Sequence, residues 1–203
     1  APNFSHARSS MLFALSHSTK ITPEELYREH RAYGKLIEEE VKGKESTTYT
    51  NSRVIDRPLT IGFVSADFRN HAVAKFVIPF FEELHKREGF ITYAYSNHGA
   101  VDDSMLRIKE NMDVWRTVVQ WSDDKLAEKI REDQIDILID MSGHTAGDRL
   151  KVFARHPAPV QITWIGYPGT TGIKAMDYIL MENTVLPGKN INAQFTEKII
   201  RIP

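Results

Sequence analysis

The feature that most constrains the fold is a regular alternation of strand and helix patterns that begins after Pro58. Short apolar runs typical of buried strands are each followed by apolar residues at helical spacing. Parallel strands need long crossover connections, which are usually helices, so this alternation predicts a mostly parallel sheet with helices on both faces. The sequence therefore indicates an α/β fold.

The patterns give approximate limits for the elements. Strands are predicted at Thr60–Ala66, Phe90–Ser96, Val114–Val118, Ile135–Met141, Gln161–Ile165 and Tyr178–Met181. Helices are predicted near Val73–Lys86, Met105–Asn111, Asp123–Glu132 and Asp148–Arg155. An earlier helical pattern covers residues 9–41, with Thr22 as an N-cap, and residues 43–57 are polar. We therefore predict a helical segment and linker over 1–57 and an α/β lobe over 58–203.

Composition excludes several classes of protein. The 203 residues are 41% hydrophobic, and 26 basic against 27 acidic residues give a net charge of −1, so no bulk field attracts nucleic acid or an anionic membrane. The absence of cysteine excludes disulfides, a thiolate nucleophile and cysteine metal ligands. No apolar run reaches about 18 residues and no signal-peptide pattern occurs, so we expect a soluble cytoplasmic protein. Because the chain starts without methionine and stops just after a strand-like run, we expect a piece of a longer protein.

Polar residues and glycines gather at three predicted strand ends. Carboxyl ends of parallel strands lie at one edge of a sheet, where ligands bind, so we expect the three loops to line one crevice. The first loop carries Ser65, Asp67, Asn70 and His71; the second Asp140, Ser142, Gly143, His144, Thr145 and Gly147; and the third is the GYPGTTG stretch, residues 166–172.

Each loop also has a plain structural interpretation. Asp67 could cap a turn, His71 could be a structural histidine, and GYPGTTG could be a simple turn. If His71 instead serves a ligand, it lies at a helix N-terminus beside the unpaired N–H groups of Ala72 and Val73, which suit a sugar or phosphate oxygen.

Familiar nucleotide and metal motifs are missing. The chain has no Gly-x-Gly-x-x-Gly after its first strand, no P-loop and no Asp-x-Asp. Asp67, His71, Asp140 and His144 could supply metal ligands, but their spacing matches no recognised metal pattern, so no metal site is predicted.

Four blocks of the sequence, in order and spacing, resemble the protein O-glycosyltransferases that include O-GlcNAc transferase and plant SPINDLY. The blocks are IGFVSADFRNH, REDQIDILIDMSGHTAGDRL, HPAPVQITWIGYPGTTG and MDYIL, and the resemblance covers roughly residues 5–203. It is nearest to the bacterial SPINDLY-like branch. It implies the Rossmann-like N-terminal half of a GT-B glycosyltransferase, between upstream tetratricopeptide repeats and a second Rossmann-like lobe. The nucleotide-binding residues belong to that second lobe, so this fragment alone is expected to be inactive.

The resemblance also assigns roles to residues. Asp67 and His71 are predicted to be catalytic: His71 matches the family histidine beside the donor sugar, and Asp67 matches an aspartate proposed to relay the acceptor proton. Which of the two is the base stays open. The predicted sugar-binding residues are Ala72, Val73, His144, Ile165, Gly166, Tyr167, Pro168, Gly169 and Thr170. The chain departs from animal members at Arg8 and Ser9, where they carry paired histidines, so a sugar-site role there is in doubt.

The expected reaction is an inverting, metal-independent transfer of a sugar to Ser or Thr of a protein, with no cofactor besides the nucleotide-sugar donor. GYPGT looks like O-GlcNAc transferase and favours UDP-GlcNAc, whereas SGHTA looks like plant SPINDLY, which transfers fucose, and favours GDP-fucose. Two other classes stay open: a non-catalytic α/β module that binds a peptide or nucleotide, and a metal-dependent hydrolase.

Overall fold

The computed structural model describes residues 4–183 and 191–202. Its helices are α1 (Phe4–Ser16), α2 (Pro23–Glu40), α3 (Ala72–His85), α4 (Asp103–Glu110), α5 (Asp123–Glu132) and α6 (Leu150–Ala154). Its strands are β1 (Leu59–Ser65), β2 (Phe90–Ser96), β3 (Val114–Thr117), β4 (Ile137–Asp140), β5 (Val160–Trp164), β6 (Tyr178–Glu182) and β7 (Lys198–Ile202). A 3-10 helix, Ile191–Gln194, precedes β7.

The seven strands form one parallel sheet in the order β3-β2-β1-β4-β5-β6-β7. β1 therefore pairs with β2 on one side and with β4 on the other, and the direction in which strands are added reverses between β1 and β4. Connections on the two sides of such a reversal diverge and leave a crevice at the carboxyl ends of the strands, where ligands bind in open α/β sheets. The loops after β1 and β4 border that crevice.

This architecture confirms the predicted α/β fold with a Rossmann-like parallel sheet. Most predicted limits agree with the structure to within one or two residues, and α5 agrees completely. Helix α6 starts two residues later than predicted, because Asp148 accepts a hydrogen bond from the N–H of Leu150 (3.3 Å) and forms a turn before the helix. The predicted strands do not include β7, which extends the sheet beyond β6.

Side chains alternate across the sheet and build two hydrophobic clusters. In β1, Ile61 and Phe63 face the cluster formed with α3 and α4, whereas Val64 faces the cluster formed with α5 and α6. Phe63 and Val64 are at most 2% exposed. Both faces of the sheet are therefore covered, which explains why its central strands are apolar runs rather than alternating patterns.

The N-terminal helices belong to the second of these clusters. Leu12 of α1 and Tyr33 and Ile37 of α2 pack in the same cluster as Val64 and Leu138 of the sheet. Thr22 forms the predicted N-cap, as part of a full capping box with Glu25. The two parts of the predicted domain division thus share one hydrophobic core.

The predicted linker, residues 43–57, contains no regular helix or strand but is held at both ends of its course. The guanidinium of Arg57 donates two hydrogen bonds to the carboxylate of Asp136 (2.6 and 2.7 Å), and Asn51 donates a third (2.8 Å). Ser46 donates its N–H to the carbonyl of Arg155. The segment is therefore attached to the α/β lobe along its length.

Helix α2 lies in backbone contact with the loop after β5. A Cβ atom at Gly34 would overlap the carbonyl oxygen of Gly172, and Gly172 itself has a φ of +78°, which favours glycine. Arg31 donates a hydrogen bond to the same carbonyl oxygen. Nearby, the hydroxyl of Tyr167 donates to Nε2 of His30 (2.9 Å). This close approach fixes where the loop can lie.

The substitution Gly34→Ala is expected to destabilise the chain by about 1–3 kcal/mol, the usual cost of inserting a methyl group where the backbone must move. Alanine is the better helix former, so any loss is a packing effect. Urea denaturation measures it. Gly99→Ala is the matched control, because nothing lies within 4 Å of the added Cβ. Equal midpoints for the two variants would contradict the close approach.

Candidate active site

The loop after β1 is folded by its own side chains. The N–H of Asp67 donates to Oγ of Ser65 (2.9 Å), and the N–H of Arg69 donates to the carbonyl of Asp67 (2.8 Å). Ser65 is buried at the end of the central strand, so its hydroxyl turns the chain sharply there. The turn holds the side chain of Asp67 at the carboxyl edge of the sheet.

Asp67 is an incompletely satisfied buried carboxylate. Its residue is 4% exposed, and its Oδ1 lies 3.6 Å from Nη2 of Arg69 and 3.6 Å from Nδ1 of His71. Its Oδ2 is buried and has no hydrogen-bond partner among the described residues. Burial raises the pKa of Asp67, against the opposing effect of His71, Arg69 and His98. A buried oxygen without a hydrogen-bond partner calls for an explanation in a native protein. The simplest explanation is that Oδ2 accepts a proton or a hydrogen bond from a ligand.

His71 is the N-cap of α3. Its Nδ1 accepts a hydrogen bond from the N–H of Val73 (3.3 Å), so a neutral His71 carries its proton on Nε2. The side chain is 36% exposed and lines the crevice. The expectation that the Val73 N–H is unpaired is therefore wrong, because His71 itself occupies it. The plain interpretation of Asp67 as the cap of a turn is wrong for a separate reason, because no backbone N–H of the described residues donates to its carboxylate.

The loop after β4 is tied to the loop after β1. The carboxylate of Asp140 accepts hydrogen bonds from the N–H groups of Ser142 (3.1 Å) and Gly143 (3.0 Å) and from the hydroxyl of Thr163 (2.8 Å). Burial raises the pKa of Asp140 to about 6. Oγ of Ser142 in turn accepts from the N–H of Ala66 (3.3 Å). Asp140 thus folds the loop after β4 and attaches it to β5, while Ser142 ties that loop to the loop after β1.

The loop after β5 begins with a strained residue. Ile165 has a φ of +65°, and Gly166 donates its N–H to the carbonyl of Trp164 (2.8 Å), which makes a tight three-residue turn. A β-branched residue rarely adopts positive φ, and such strain is concentrated at functional sites. A Cβ at Gly166 would overlap the backbone of Met141, so only glycine allows this contact. The third loop is thereby pressed against the second.

These three loops and α1 enclose a cavity of about 560 Å³, within the range of small-molecule sites, roughly 300–1,000 Å³. Seven predicted site residues line it: Asp67, His71, Ala72, Val73, His144, Ile165 and Gly166. The structure thus brings together the predicted catalytic pair and most of the predicted sugar-binding residues. Six further residues line it, of which only Thr145 is among the polar residues predicted to line the crevice: Ser10, Phe13, Arg69, Phe76, Thr145 and Ala146.

The apolar spacing of the sequence does not single out Phe13 or Phe76, and Phe76 fits the helical spacing of α3. Only the folded chain shows that the two rings are exposed, at 42% and 69%. Ser10 had no signal in the sequence either, because it becomes a lining residue only through the docking of α1 on the sheet.

The remaining predicted residues lie elsewhere. Tyr167, Pro168, Gly169 and Thr170 line a cavity of about 290 Å³ against α2 rather than the cavity of Asp67 and His71. Tyr167 and Pro168 also line a cavity of about 500 Å³ that shares Phe76 and Ile165 with the cavity of Asp67. The hydroxyl of Thr170 donates to the carboxylate of Glu197 (2.6 Å), and the N–H of Thr171 donates to it as well (2.8 Å). These bonds to a residue just before β7 direct the chain away from the crevice after Gly166.

His144 lines the cavity but offers no free ring nitrogen. Its Nε2 lies 3.0 Å from the carbonyl oxygen of Thr171, its Nδ1 lies 2.9 Å from Oγ of Ser9, and the residue is 1% exposed. Burial, with His30 nearby, lowers the pKa of His144 to about 3. The imidazole is therefore neutral and serves as part of the cavity wall.

Within residues 4–183 and 191–202, no three His, Cys, Asp or Glu side chains come together in a way that could hold a metal ion. In the same ranges, no helix is long and apolar enough to cross a membrane.

Comparisons with known proteins agree with this arrangement. The sequence model of glycosyl transferase family 41 matches residues 2–203. The chain is 35% identical, over all of its length, to a protein of Hordeum vulgare named "Probable UDP-N-acetylglucosamine--peptide N-acetylglucosaminyltransferase SPINDLY", of which it covers 21%. It is 34% identical, over 98% of its length, to the "UDP-N-acetylglucosamine--peptide N-acetylglucosaminyltransferase" of Caenorhabditis elegans, of which it covers 17%. The chain thus spans about a fifth of these relatives.

A solved structure gives the same result. A mutant O-GlcNAc transferase of Thermobaculum terrenum matches with a TM-score of 0.89 and 33% sequence identity, and the match covers 98% of this chain and 38% of that one. The fold described above therefore corresponds to about two fifths of that larger chain. The chain belongs to glycosyl transferase family 41.

Proposed function

We propose that this chain is the acceptor-side lobe of a protein O-glycosyltransferase that transfers GlcNAc from UDP-GlcNAc to serine or threonine residues of proteins. The observation that carries the proposal is Asp67, a buried carboxylate whose Oδ2 has no hydrogen-bond partner among the described residues and which lines the cavity at the reversal of strand order. The names of the Hordeum vulgare and Caenorhabditis elegans relatives support UDP-GlcNAc as the donor and a peptide as the acceptor.

The reaction is a displacement at the anomeric carbon with inversion. The acceptor hydroxyl oxygen forms a bond to that carbon while the bond to the diphosphate oxygen breaks, and the electron pair leaves with the diphosphate. The hydroxyl proton passes to Oδ2 of Asp67, directly or through one water. The raised pKa of Asp67 makes the carboxylate a stronger proton acceptor than an ordinary aspartate.

His71 acts as a hydrogen-bond donor rather than as the base. Its Nδ1 lone pair is occupied by the N–H of Val73, so the proton on Nε2 is available for a sugar hydroxyl or phosphate oxygen. A donor at that place stabilises the negative charge that develops on the leaving diphosphate. The strained Ile165 and the adjoining Gly166 form the opposite wall, against which the sugar is held.

The rest of the machinery lies outside this chain. Because the chain spans about a fifth of the named relatives, we place the nucleotide-binding residues in a second Rossmann-like lobe and tetratricopeptide repeats upstream. This chain alone is then inactive, and transfer needs no metal ion. The absence of cysteine supports a reducing compartment, the cytoplasm.

One sequence observation favours a second donor. The segment Ser142–Ala146, SGHTA, resembles plant SPINDLY, for which the resemblance implies fucose transfer, and it lies in the loop beside the cavity. GDP-fucose is therefore the alternative donor. Since the base-recognition residues lie in the second lobe, the two donors are separated by experiment on the full-length protein.

Replacement of the proposed base should abolish most activity. In the full-length protein, Asp67→Asn is expected to lower kcat by about 10²–10⁴, the usual contribution of a general base. The carboxylate works only when ionised, so wild-type kcat/KM should fall as the pH drops through the raised pKa of Asp67, above the ordinary value of about 3.9. Asp103→Asn, on an exposed aspartate of α4, is the control. An unchanged kcat in Asp67→Asn would remove Asp67 as the base.

The role of His71 is tested by His71→Asn. Asparagine is a good N-cap, so α3 keeps its cap while the Nε2 donor is lost. We expect a lower kcat with an unchanged melting temperature, whereas His85→Ala, at an exposed position of the same helix, should change neither. If His71→Asn keeps wild-type activity, His71 is a structural cap only.

The donor and the metal requirement can be read from one assay. The full-length protein is incubated with a Ser/Thr peptide and either UDP-GlcNAc or GDP-fucose, with and without EDTA, and the product is analysed by mass spectrometry. Addition of a GlcNAc mass that EDTA does not reduce is expected. Transfer from neither donor would contradict the proposed function and favour a non-catalytic binding module, for which isothermal titration calorimetry should detect nucleotide binding by this chain alone.

A further inference from the structure

A chain of three polar side chains runs behind the cavity wall and has no part in the mechanism above. Oγ of Ser9, on α1, lies 2.9 Å from Nδ1 of His144 and 3.1 Å from Oδ2 of Asp148. Nε2 of His144 lies 3.0 Å from the carbonyl oxygen of Thr171. Ser9 and His144 are each 1% exposed, so protein atoms rather than solvent must satisfy them.

Counting protons fixes the direction of each bond. A carbonyl oxygen only accepts, so Nε2 of His144 must carry a hydrogen and donate it to Thr171. In a neutral imidazole Nδ1 is then an acceptor, and the single hydroxyl proton of Ser9 must be donated to it. That proton is consequently not available to Asp148. The contact between Asp148 and Ser9 is a hydrogen bond only when the carboxyl group of Asp148 is protonated.

Ionisation of Asp148 breaks this order. A carboxylate cannot donate, so the hydroxyl of Ser9 rotates toward Asp148 and Nδ1 of His144 loses its donor. A buried ring nitrogen without a partner is costly. The alternative tautomer restores that bond but places a lone pair of Nε2 against the carbonyl oxygen of Thr171. Neither arrangement holds His144 as firmly as the protonated one.

The surroundings of Asp148 set the pH at which this happens. Burial raises its pKa to about 6, and Asp123 acts in the same direction; the N–H of Leu150 and the charge of His6 act against it. The titratable and charged groups around Asp148 are His6 of α1, Tyr33 and Glu40 of α2, Asp123 of α5, Asp140 at the end of β4, Arg149 before α6, and Lys151 of α6, whose ammonium pairs with Glu40. The guanidinium of Arg149 pairs with Asp123 (2.8 Å) and the ammonium of Lys151 pairs with Glu40, so neither cation is directed at Asp148 alone.

The hydrogen bonds of Ser9, His144 and Asp148 join three walls of the candidate active site. Ser9 lies next to Ser10 on α1, and both Ser10 and His144 line the cavity of Asp67. Thr171 lies in the loop that begins at Ile165 and Gly166. Loss of one of these hydrogen bonds therefore loosens the packing of α1, the loop after β4 and the loop after β5 against one another.

We propose that Ser9 and Asp148 are positioning residues of the glycosyl transfer, which together fix the tautomer and orientation of His144 in the cavity wall. The inference rests on the proposed function. The protonated state of Asp148 is the competent one, so kcat/KM falls on the alkaline side as Asp148 ionises, while Asp67 sets the fall on the acidic side.

The test is the pH profile of kcat/KM in the full-length protein. The kcat/KM of wild type should fall about fivefold on the alkaline side, the factor that corresponds to one hydrogen bond of about 1 kcal/mol. Asp148→Asn carries an amide that donates to Ser9 at every pH, so it should keep activity and lose this alkaline fall. Ser9→Ala should be slower at every pH, and Ser9→Thr should restore the rate and the profile. Asp103→Asn should behave as wild type.

Histidine-selective ¹⁵N NMR of the same protein reads the tautomer of His144 without reference to activity. The Nε2–H form should dominate at low pH and change as Asp148 ionises in wild type, and should persist at all pH values in Asp148→Asn. An alkaline fall that survives in Asp148→Asn, or a tautomer independent of pH in wild type, overturns the inference. Absence of transfer from either donor would overturn the proposed function instead, and the NMR result would still decide whether the proton chain exists.

Discussion

The parallel pairing of β1 with β4 is the interaction on which the rest of the structure depends. Because β2 and β3 lie on the other side of β1, the loop after β1 and the loop after β4 leave the sheet side by side with nothing of the sheet between their ends. The bond from Ala66 to Ser142 and the contact of Gly166 with Met141 then hold the three loops at fixed distances. A cavity is the necessary result of this topology, and the residues at the loop ends determine its chemistry.

The buried carboxylates of the lobe show how unusual Asp67 is. Asp140 accepts three hydrogen bonds, Asp136 is held by Arg57 and Asn51, and Glu197 collects the polar groups of Thr170 and Thr171. Each of these groups stabilises a turn or an edge of the sheet and has little capacity left for a ligand. Asp67 keeps one buried oxygen without a partner in the described part of the chain. The contrast is physical, since leaving such an atom unpaired costs folding free energy that a purely structural residue would not carry.

Much of the fold was predictable, and the reasons are local. Strand and helix patterns are set by residues near in sequence, so β1, α3 and α5 could be placed to within a residue or two. The cap at Thr22 could be identified for the same reason. The cap at His71 could not, because histidine is an uncommon N-cap and aspartate, four residues earlier, is a common one. Local patterns also gave no reason to divide GYPGTTG after Gly166, since Glu197, which directs Thr170 away, is 27 residues further along the chain.

The N-terminal helices explain the largest gap between sequence and site. The sequence pattern separates residues 1–57 from the α/β lobe, and nothing local connects Ser9 with His144, 135 residues away. In the folded chain, however, α1 supplies Ser10 and Phe13 to the cavity, and α2 supplies the backbone surface against which the loop after β5 is fixed. The burial of Leu12, Tyr33 and Ile37 in the shared core provides the free energy that holds these helices in place. The positions of the cavity walls therefore depend on long-range apolar packing, while the chemistry of the cavity depends on a few polar residues at the strand ends. A substitution in α1 or α2 that leaves every predicted site residue intact can for this reason still displace the loops that carry them.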